Sequence, residues 1–371
     1  MIESIRPRYL KANRATKTKI LDEFIATTGY HRKYALRVLK HGPKPKGLKK
    51  QGRQKIYQGE VVQTLEQIWE IYGRICSKRL HPFLSEGVTV LERCHEISLS
   101  PEIKQLLLSM SRATIDRCLK KARFTNPLHG ISTTKPGTLL KKAIPIRTFT
   151  PWEDEKPGFL EIDLVAHCGI STDGTYLNTL TATDLATGWT ECRALANKTQ
   201  IAVSKAIVEI RHDLPFPLLG VDSDNGSEFI NATLYSYCID EKITFTRSRP
   251  YQKNDQAHVE QKNWSVVRHT VGYDRLETPE ELALLASIYT GLRLYINFFQ
   301  PVLKLVAKER IDGKTLRTYD QAMTPFRRVL ALDSISTEIK ARLIDQYMQL
   351  NPVTLRANID ANVALLWKIG R

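Results

Sequence analysis

The sequence predicts a mixed α/β layer, one sheet covered by helices, preceded by basic helical segments and followed by a mostly helical region. Three observations predict it. Three β-rich runs follow one another between residues 159 and 194, and helical and strand patterns then alternate as far as about residue 270. Positive charge is concentrated at the N-terminus: residues 1–60 carry 16 Lys and Arg against four acids, a net +12 of the chain's +16. A short apolar run, Leu219-Gly-Val, ends in carboxylates and breaks at Asn225-Gly226, a strong turn signal.

Composition fits a folded chain. It is 42% apolar and 25% charged over 371 residues, enough for two or three domains. A net charge of +16 predicts a polyanionic partner, nucleic acid ahead of an acidic membrane surface. The six cysteines are scattered, without CxxC spacing or a His at zinc-finger spacing, so reduced thiols in a cytoplasmic setting are expected. The N-terminus lacks the apolar core of a signal peptide. The most apolar long stretch, Leu282 to Phe299, is broken by Arg293 and reads as a buried amphipathic helix, so no membrane partner is expected.

Residues 17–41 read as two helices. Ile20, Leu21, Phe24 and Ile25 have helical spacing, Thr28-Gly29 interrupts it, and Tyr34, Ala35, Val38 and Leu39 resume it. Helix, glycine-containing turn and helix is the helix-turn-helix pattern. Arg32, Lys33, Arg37 and Lys40 lie off the second helix's apolar face and suit DNA phosphates or a major groove. An ordinary helical hairpin with a solvated basic face would read the same way. The Pro/Gly-rich basic stretch that follows, Lys44 to Lys55, reads as a linker able to track a DNA backbone. Domain 1–58 is therefore expected to be a basic helix-turn-helix unit. Residues 59–123 are helical in pattern, with Ser111 starting a helix that is either a second recognition helix or a plain packing helix. Residues 124–157 read as a linker.

A mixed α/β domain is expected over 158–300. Phe159 to His167, Thr175 to Thr183 and Trp189 to Ala194 read as strands joined by two hairpins. A helix from Ile201, a strand ending in Asp224, a helix from Ser227 to Tyr237, a strand at Ile243–Thr246, a basic loop and a helix from about Asp255 to Thr270 follow. The last region, 301–371, has a turn at Asp312-Gly313 and helices over 330–350 and 353–369.

Three acids stand out. Asp163 sits inside an apolar strand, on one face with Glu161 and Val165, where an ionised group is costly unless paired or bound to metal. Asp224 ends the later strand, where on its own it reads equally as a helix cap. Glu260 lies on an amphipathic helix with Val259 and Trp264. Sixty residues separate the first two acids and 35 the last two.

A strand Asp, then Asp-Asn-Gly-x-Glu-Phe, then Glu after 35 residues resembles the catalytic core of DDE transposases and retroviral integrases. Leu139 to Thr150, Asp163 to Cys168, Thr183 to Cys192, Leu214 to Leu219, Thr244 to Pro250, Asn254 to Gln256, Val259 to Asn263 and Val271 to Arg275 are most similar to bacterial insertion-sequence transposases of the ISNCY type. The chain departs from retroviral integrases in lacking an N-terminal His-His-Cys-Cys zinc module.

The resemblance implies an RNase H-like mixed-sheet catalytic core, with helix-turn-helix DNA-binding domains before it and a mostly helical C-terminal region after it. It implies a DNA transposase that binds element ends and cleaves and transfers strands, with Asp163, Asp224 and Glu260 as catalytic and metal-binding residues. Two divalent ions roughly 3.5–4 Å apart can activate the attacking oxygen and stabilise the leaving one. All-oxygen ligands suit Mg²⁺ or Mn²⁺. In the family-like assignment Asp163 bridges the ions, Asp224 holds one and Glu260 the other. Asp222 shares a strand face with Asp224 and is its rival; Asp224 directly precedes Asn-Gly as in the family and gives the 35-residue gap, so Asp222 is expected to be a structural acid. Glu228 is expected to cap or solvate its helix, and His167 and Trp189 to pack. Lys253, Asn254, Lys262 and Arg268 are candidate phosphate contacts. Transposon ends and target DNA are the implied partners, with homo-oligomers in the synaptic complex of a bacterial, nucleoid-associated enzyme. A catalytically silent DNA-binding regulator derived from a transposase is the alternative, and a cellular RNase H-like nuclease a third reading.

Overall fold

The computed structural model describes residues 1–42, 56–125, 156–224, 226, 228–248, 257–311 and 314–369. It divides into two compact units, Met1–Ile56 and Tyr57–Arg371.

The first unit is a three-helix bundle. Its helices are α1 (Ile2–Lys11), α2 (Arg14–Thr28) and α3 (Arg32–His41). The Asn13 side chain caps α2 by accepting from Thr16 N at 2.9 Å, and Gly29 ends it in the left-handed region at φ 69°. Tyr9, Ile20, Leu21, Phe24, Ala35 and Leu39 form the core. The expected pair α2–α3 is present. The additional α1 escaped sequence reading because Pro7 and two arginines interrupt its pattern; only Tyr9 of its residues is buried.

In the second unit four helices come first: α4 (Glu60–Ile71), α5 (Ser77–Arg93), α6 (Pro101–Leu108) and α7 (Arg112–Cys118). Ser100 and Ser111 cap α6 and α7. These helices have no core of their own. Leu65, Ile68, Leu80 and Leu91 belong to one cluster with sheet residues Leu160, Ile162, Leu180 and Val221.

The sheet follows, in the chain order the sequence predicts. Its strands are β1 (Phe159–Ala166), β2 (Asn178–Asp184) and β3 (Thr190–Leu195), then α8 (Gln200–Asp213), β4 (Gly220–Ser223), α9 (Ala232–Asp240) and β5 (Thr244–Arg247). The spatial order is β3-β2-β1-β4-β5, with β1–β2 and β2–β3 antiparallel and β1–β4 and β4–β5 parallel. Helix α9 starts five residues later than its apolar spacing suggests: Asn231 is the cap, accepting from Leu234 N at 2.9 Å. Residues 228–231 form a turn and a bend.

After the sheet come α10 (Ala257–Lys262), a π-helical segment (Asn263–Arg268), α11 (His269–Val271) and the long α12 (Pro279–Phe299). Thr278 and Glu281 form a capping box at the start of α12. That helix is apolar and long enough by composition to cross a membrane, with a mean hydropathy of 1.4, yet half of the stretch is buried inside the protein. It lies against β3 and α15 (Pro352–Ile369). Asn297 of α12 exchanges bonds of 2.9 and 2.8 Å with the Thr190 backbone.

Between α12 and α15 lie β6 (Leu305–Ile311), β7 (Lys314–Tyr319), α13 (Pro325–Ala331) and α14 (Thr337–Gln349). The β6–β7 hairpin is a correction. Its polar, basic residues lack the apolar alternation of a half-buried strand, because Leu305, Val306, Leu316 and Tyr319 are all exposed. Asp312 and Gly313, the turn expected from the sequence, lie outside the described residues. Glu86 ties this region to α5: its carboxylate accepts from Arg327 at 2.9 Å and from Tyr347 at 2.7 Å.

Candidate active site

Strand register builds the site. Glu161 of β1 lies level with Thr183 of β2 and Asp222 of β4, and Asp222 with Thr246 of β5. Side chains alternate along a strand, so these residues form one polar row across one face. The next row holds Asp163, Thr181 and Cys192. Continuing the parallel register β1–β4 by one residue beyond Ile162–Ser223 brings Asp224 level with Asp163, on neighbouring strands and the same face. The register thus separates the two candidate acids of β4. Asp222 pairs with the buried row and accepts from Thr246 Oγ1 at 2.6 Å, with no exposure. Asp224 stands past the strand end, partly exposed, beside Asp163.

The turn after Asp224 aims its carboxylate. Gly226 N donates to Asp224 Oδ1 at 2.8 Å, the side-chain-to-backbone bond that makes Asp favourable before a turn. A Cβ on Gly226 would stand 2.8 Å from Asp224 Oδ1 and 2.7 Å from the Glu228 carboxyl carbon. Both acids therefore crowd that glycine. Glu228 does not cap α9, as expected from the sequence, but lies before it and beside Asp224. The late start of α9 is the reason.

Glu260 is delivered by α10. The buried Glu161 holds this helix on the sheet by accepting from Val259 N at 3.1 Å. One turn past Glu260, Asn263 Nδ2 donates to Asp163 Oδ2 at 2.6 Å, while Leu164 N donates to Asp163 Oδ1 at 2.8 Å. Burial raises the Asp163 carboxyl to about 7; the Asp224 and Glu260 charges push the same way, and the two hydrogen bonds oppose them. Three acids separated by 60 and 35 residues thus act on one another electrostatically. They are not drawn to common ligand distance: no group of three His, Cys, Asp or Glu among the described residues is arranged to hold an ion. Asn263 was missed from the sequence, although its i+3 spacing from Glu260 marks it as a neighbour on the same helical face. Glu161 was read only as a companion of Asp163 on its strand face, and Glu228 only as a capping or solvated group of its helix.

The donor chemistry suits a divalent cation. All three acids offer oxygen, the Asp224 and Glu260 charges make it costlier for Asp163 to ionise, and buried Asn263 Oδ1 accepts no hydrogen bond. A cation among them would relieve the repulsion.

The expected phosphate contacts diverge. Arg268 is committed to structure: it donates to Ala166 O at 2.8 Å and Gly272 O at 3.4 Å and lies over Tyr273. Lys262 is turned from the outer surface into a cavity, where burial, then Arg79, lowers its ammonium to about 7. Lys253 and Asn254 lie outside the described residues. In the first unit Lys33 and Lys40 are exposed, Arg37 lies 4.8 Å over the Tyr34 ring, and Arg32 pairs with Asp22. His167 and Trp189 are buried packing residues, as expected; His167 Nε2 bonds Thr179 Oγ1 at 2.7 Å.

Residues 153–253 match the Integrase core domain family, a stretch that contains Asp163 and Asp224 and stops short of Glu260. The chain is 42% identical over 330 residues to the uncharacterized protein y4rM of Sinorhizobium fredii, an alignment covering 88% of this chain and 93% of that protein. The catalytic core domain of BIV integrase matches 38% of this chain and 83% of its own length, at 18% identity and a TM-score of 0.28.

Proposed function

We propose, on the premise that the chain belongs to the DDE transposase and integrase superfamily, that it is a metal-dependent DNA transposase of an insertion sequence. The integrase core domain is a polynucleotidyl-transferase family, and it implies DNA as the partner. The ISNCY-type similarity in the sequence supports the finer reading. The reading is supported chiefly by the strand register, which continued one residue past β4 sets Asp224 beside Asp163 of β1, and by the Asp224 and Glu260 charges that act on the Asp163 carboxyl.

Asp163, Asp224 and Glu260 would hold Mg²⁺ or Mn²⁺. Bound there, the ions supply charge that activates an attacking oxygen and stabilises the leaving one. The remaining work falls to the chain. Gly226 N fixes one Asp224 oxygen, Leu164 N and Asn263 fix the two Asp163 oxygens, and Glu161 seats the helix that presents Glu260. The carboxylates are thereby held in place before substrate arrives. In the first step water attacks a phosphodiester at the element end, leaving a 3′-hydroxyl and a 5′-phosphate. That hydroxyl then attacks a phosphodiester of the target, joining one strand and releasing another 3′-hydroxyl. No protein side chain is covalently changed. Both ends must be joined, so a homo-oligomeric complex is part of the proposal.

Purified protein, Mg²⁺ and a duplex carrying the element end should give a nick at the terminus. Full cleavage by Asp224→Ala would overturn the assignment. Specific end binding without metal-dependent cleavage by the unaltered protein would point to a silent regulator instead.

A further inference from the structure

Beside the helix that carries Glu260 lies a cavity of about 500 Å³, within the ~300–1,000 Å³ range of small-molecule sites. Its walls combine two chemistries. Arg74, Arg79, Lys262 and Arg356 bring positive charge. Arg74 is paired with Glu70 at 2.7 Å, and Arg356 with Asp360 at 2.9 Å. Arg79 donates to Pro301 O, and among the described residues no carboxylate pairs with Arg79 or Lys262. Two basic side chains therefore line the cavity without a carboxylate partner among the described residues. Aromatic and apolar surface faces them: Trp264 is 57% and Trp367 45% exposed, and both line the cavity. Two large indoles left this open are unusual for side chains that otherwise bury well.

A ligand matching these walls has a flat apolar part and an anionic part. A bare anion would leave the indoles unused, and an apolar molecule would leave the two basic side chains without an acceptor. A nucleotide satisfies both, its base stacking on tryptophan and its phosphate meeting Arg79 and Lys262. A base paired within a duplex presents only its edges, so its face reaches a tryptophan only once it leaves the stack. Lys262 and Trp264 follow Glu260 by two and four residues, which places the cavity on the element that borders the catalytic acids. We propose that this cavity receives an unpaired nucleotide of the DNA substrate, held by Arg79 and Lys262 at its phosphate and by Trp264 and Trp367 at its base. The inference rests on the reading of the chain as a DNA-acting enzyme.

Two duplexes of the same sequence test it, one fully paired and one with a single unpaired 2-aminopurine, each bound to the full-length protein. The unpaired duplex should bind roughly tenfold more tightly, with quenching of the 2-aminopurine. Trp264→Ala and Trp367→Ala, on separate helices with exposed side chains, should each erode that preference and the quenching, and Lys262→Gln should weaken the preference further. Affinity for the paired duplex should be unchanged in the tryptophan variants. Free dAMP should compete only weakly and inorganic phosphate not at all. Equal binding of the two duplexes by unaltered protein would overturn the inference while leaving the DNA enzyme intact. So would a preference that survives all three substitutions. Binding of dAMP as tight as the unpaired duplex would assign the cavity to a free nucleotide, and displacement by phosphate alone to a simple anion; either sinks the proposal. Failure to bind either duplex would remove the functional reading and this inference together.

Discussion

Asn263 joins Asp163 through a 2.6 Å hydrogen bond from its amide to Asp163 Oδ2. The bond links the helix presenting Glu260 to the strand presenting Asp163, so two acids nearly a hundred residues apart share one support. Asn263 also begins the π-helical segment, a form that recurs at functional sites.

That support predicts a large effect from a small change. Asn263→Ala leaves all three acids in place but frees Asp163 to rotate. Groups that orient metal ligands cost about 10–100-fold in metal affinity or activity when removed. Cleavage by Asn263→Ala should fall by that factor and recover in part at high Mg²⁺. An unchanged Mg²⁺ dependence would show that Asn263 does not orient the site.

The protonation of Asp163 gives a pH dependence with a defined sign. Its folded pKa lies near 7 against an ordinary 3.8, through burial and the neighbouring acids. The folded protein therefore binds a proton that the unfolded chain has released between those values. The Asp163 contribution to the stability of the metal-free protein should be greatest below about pH 4 and fall as pH rises through about 7. Buried Asp184, raised to about 6, acts in the same direction but is spent sooner, and buried His167, lowered to about 3, acts the opposite way below about pH 6.5. A bound cation displaces the proton. Mg²⁺ should raise the melting temperature clearly at about pH 8 and little near pH 5.5, and Asp163→Asn should abolish the difference.

Gly226 supplies a steric test. An added Cβ would meet Asp224 Oδ1 at 2.8 Å and the Glu228 carboxyl at 2.7 Å, closer than nonbonded atoms tolerate. Glu228 can swing away; the shorter Asp224 must turn. Gly226→Ala should keep its fold by circular dichroism yet lose on the order of 10²-fold in cleavage, the size of effect expected when a catalytic group is misplaced by about 1 Å. Gly226→Ala combined with Glu228→Ala should recover part of the loss, since one of the two clashes is gone. No recovery would mean that Asp224 alone carries the strain.

The sheet was legible because its pattern is local. Strand alternation over 159–194 and the Asn-Gly break after β4 follow from side-chain period and turn chemistry alone. Asp163, Asp224 and Glu260 were legible for a different reason: their spacing and neighbours resemble a known family. Three features stayed hidden, each for a physical cause. The β6–β7 hairpin exposes both of its faces in part, so no period distinguishes it. The π-helical segment after Lys262 differs from an α-helix by one residue in its hydrogen-bond step, which apolar spacing does not resolve. Arg268 and Lys262 looked like surface charge because nothing in a sequence says whether a basic side chain finds backbone carbonyls, a cavity or solvent.

The basic face of α3 is ranked by its partners. Arg32 is already engaged by Asp22, whereas Lys33 and Lys40 are exposed. Neutralising a phosphate-contacting cation lowers the slope of log affinity against log salt by about 1. If α3 lies along DNA, Lys33→Ala and Lys40→Ala should each lower the slope by about that amount. Arg32→Ala should change it less, because it also frees the Asp22 carboxylate to repel the phosphates and so costs affinity without removing a full contact. Arg37 stacks on Tyr34, which holds its guanidinium in one place, so Arg37→Lys should weaken binding although charge is kept. Equal slopes for all four variants and the unaltered protein would show that this helix is solvated, and that DNA is held elsewhere on the chain.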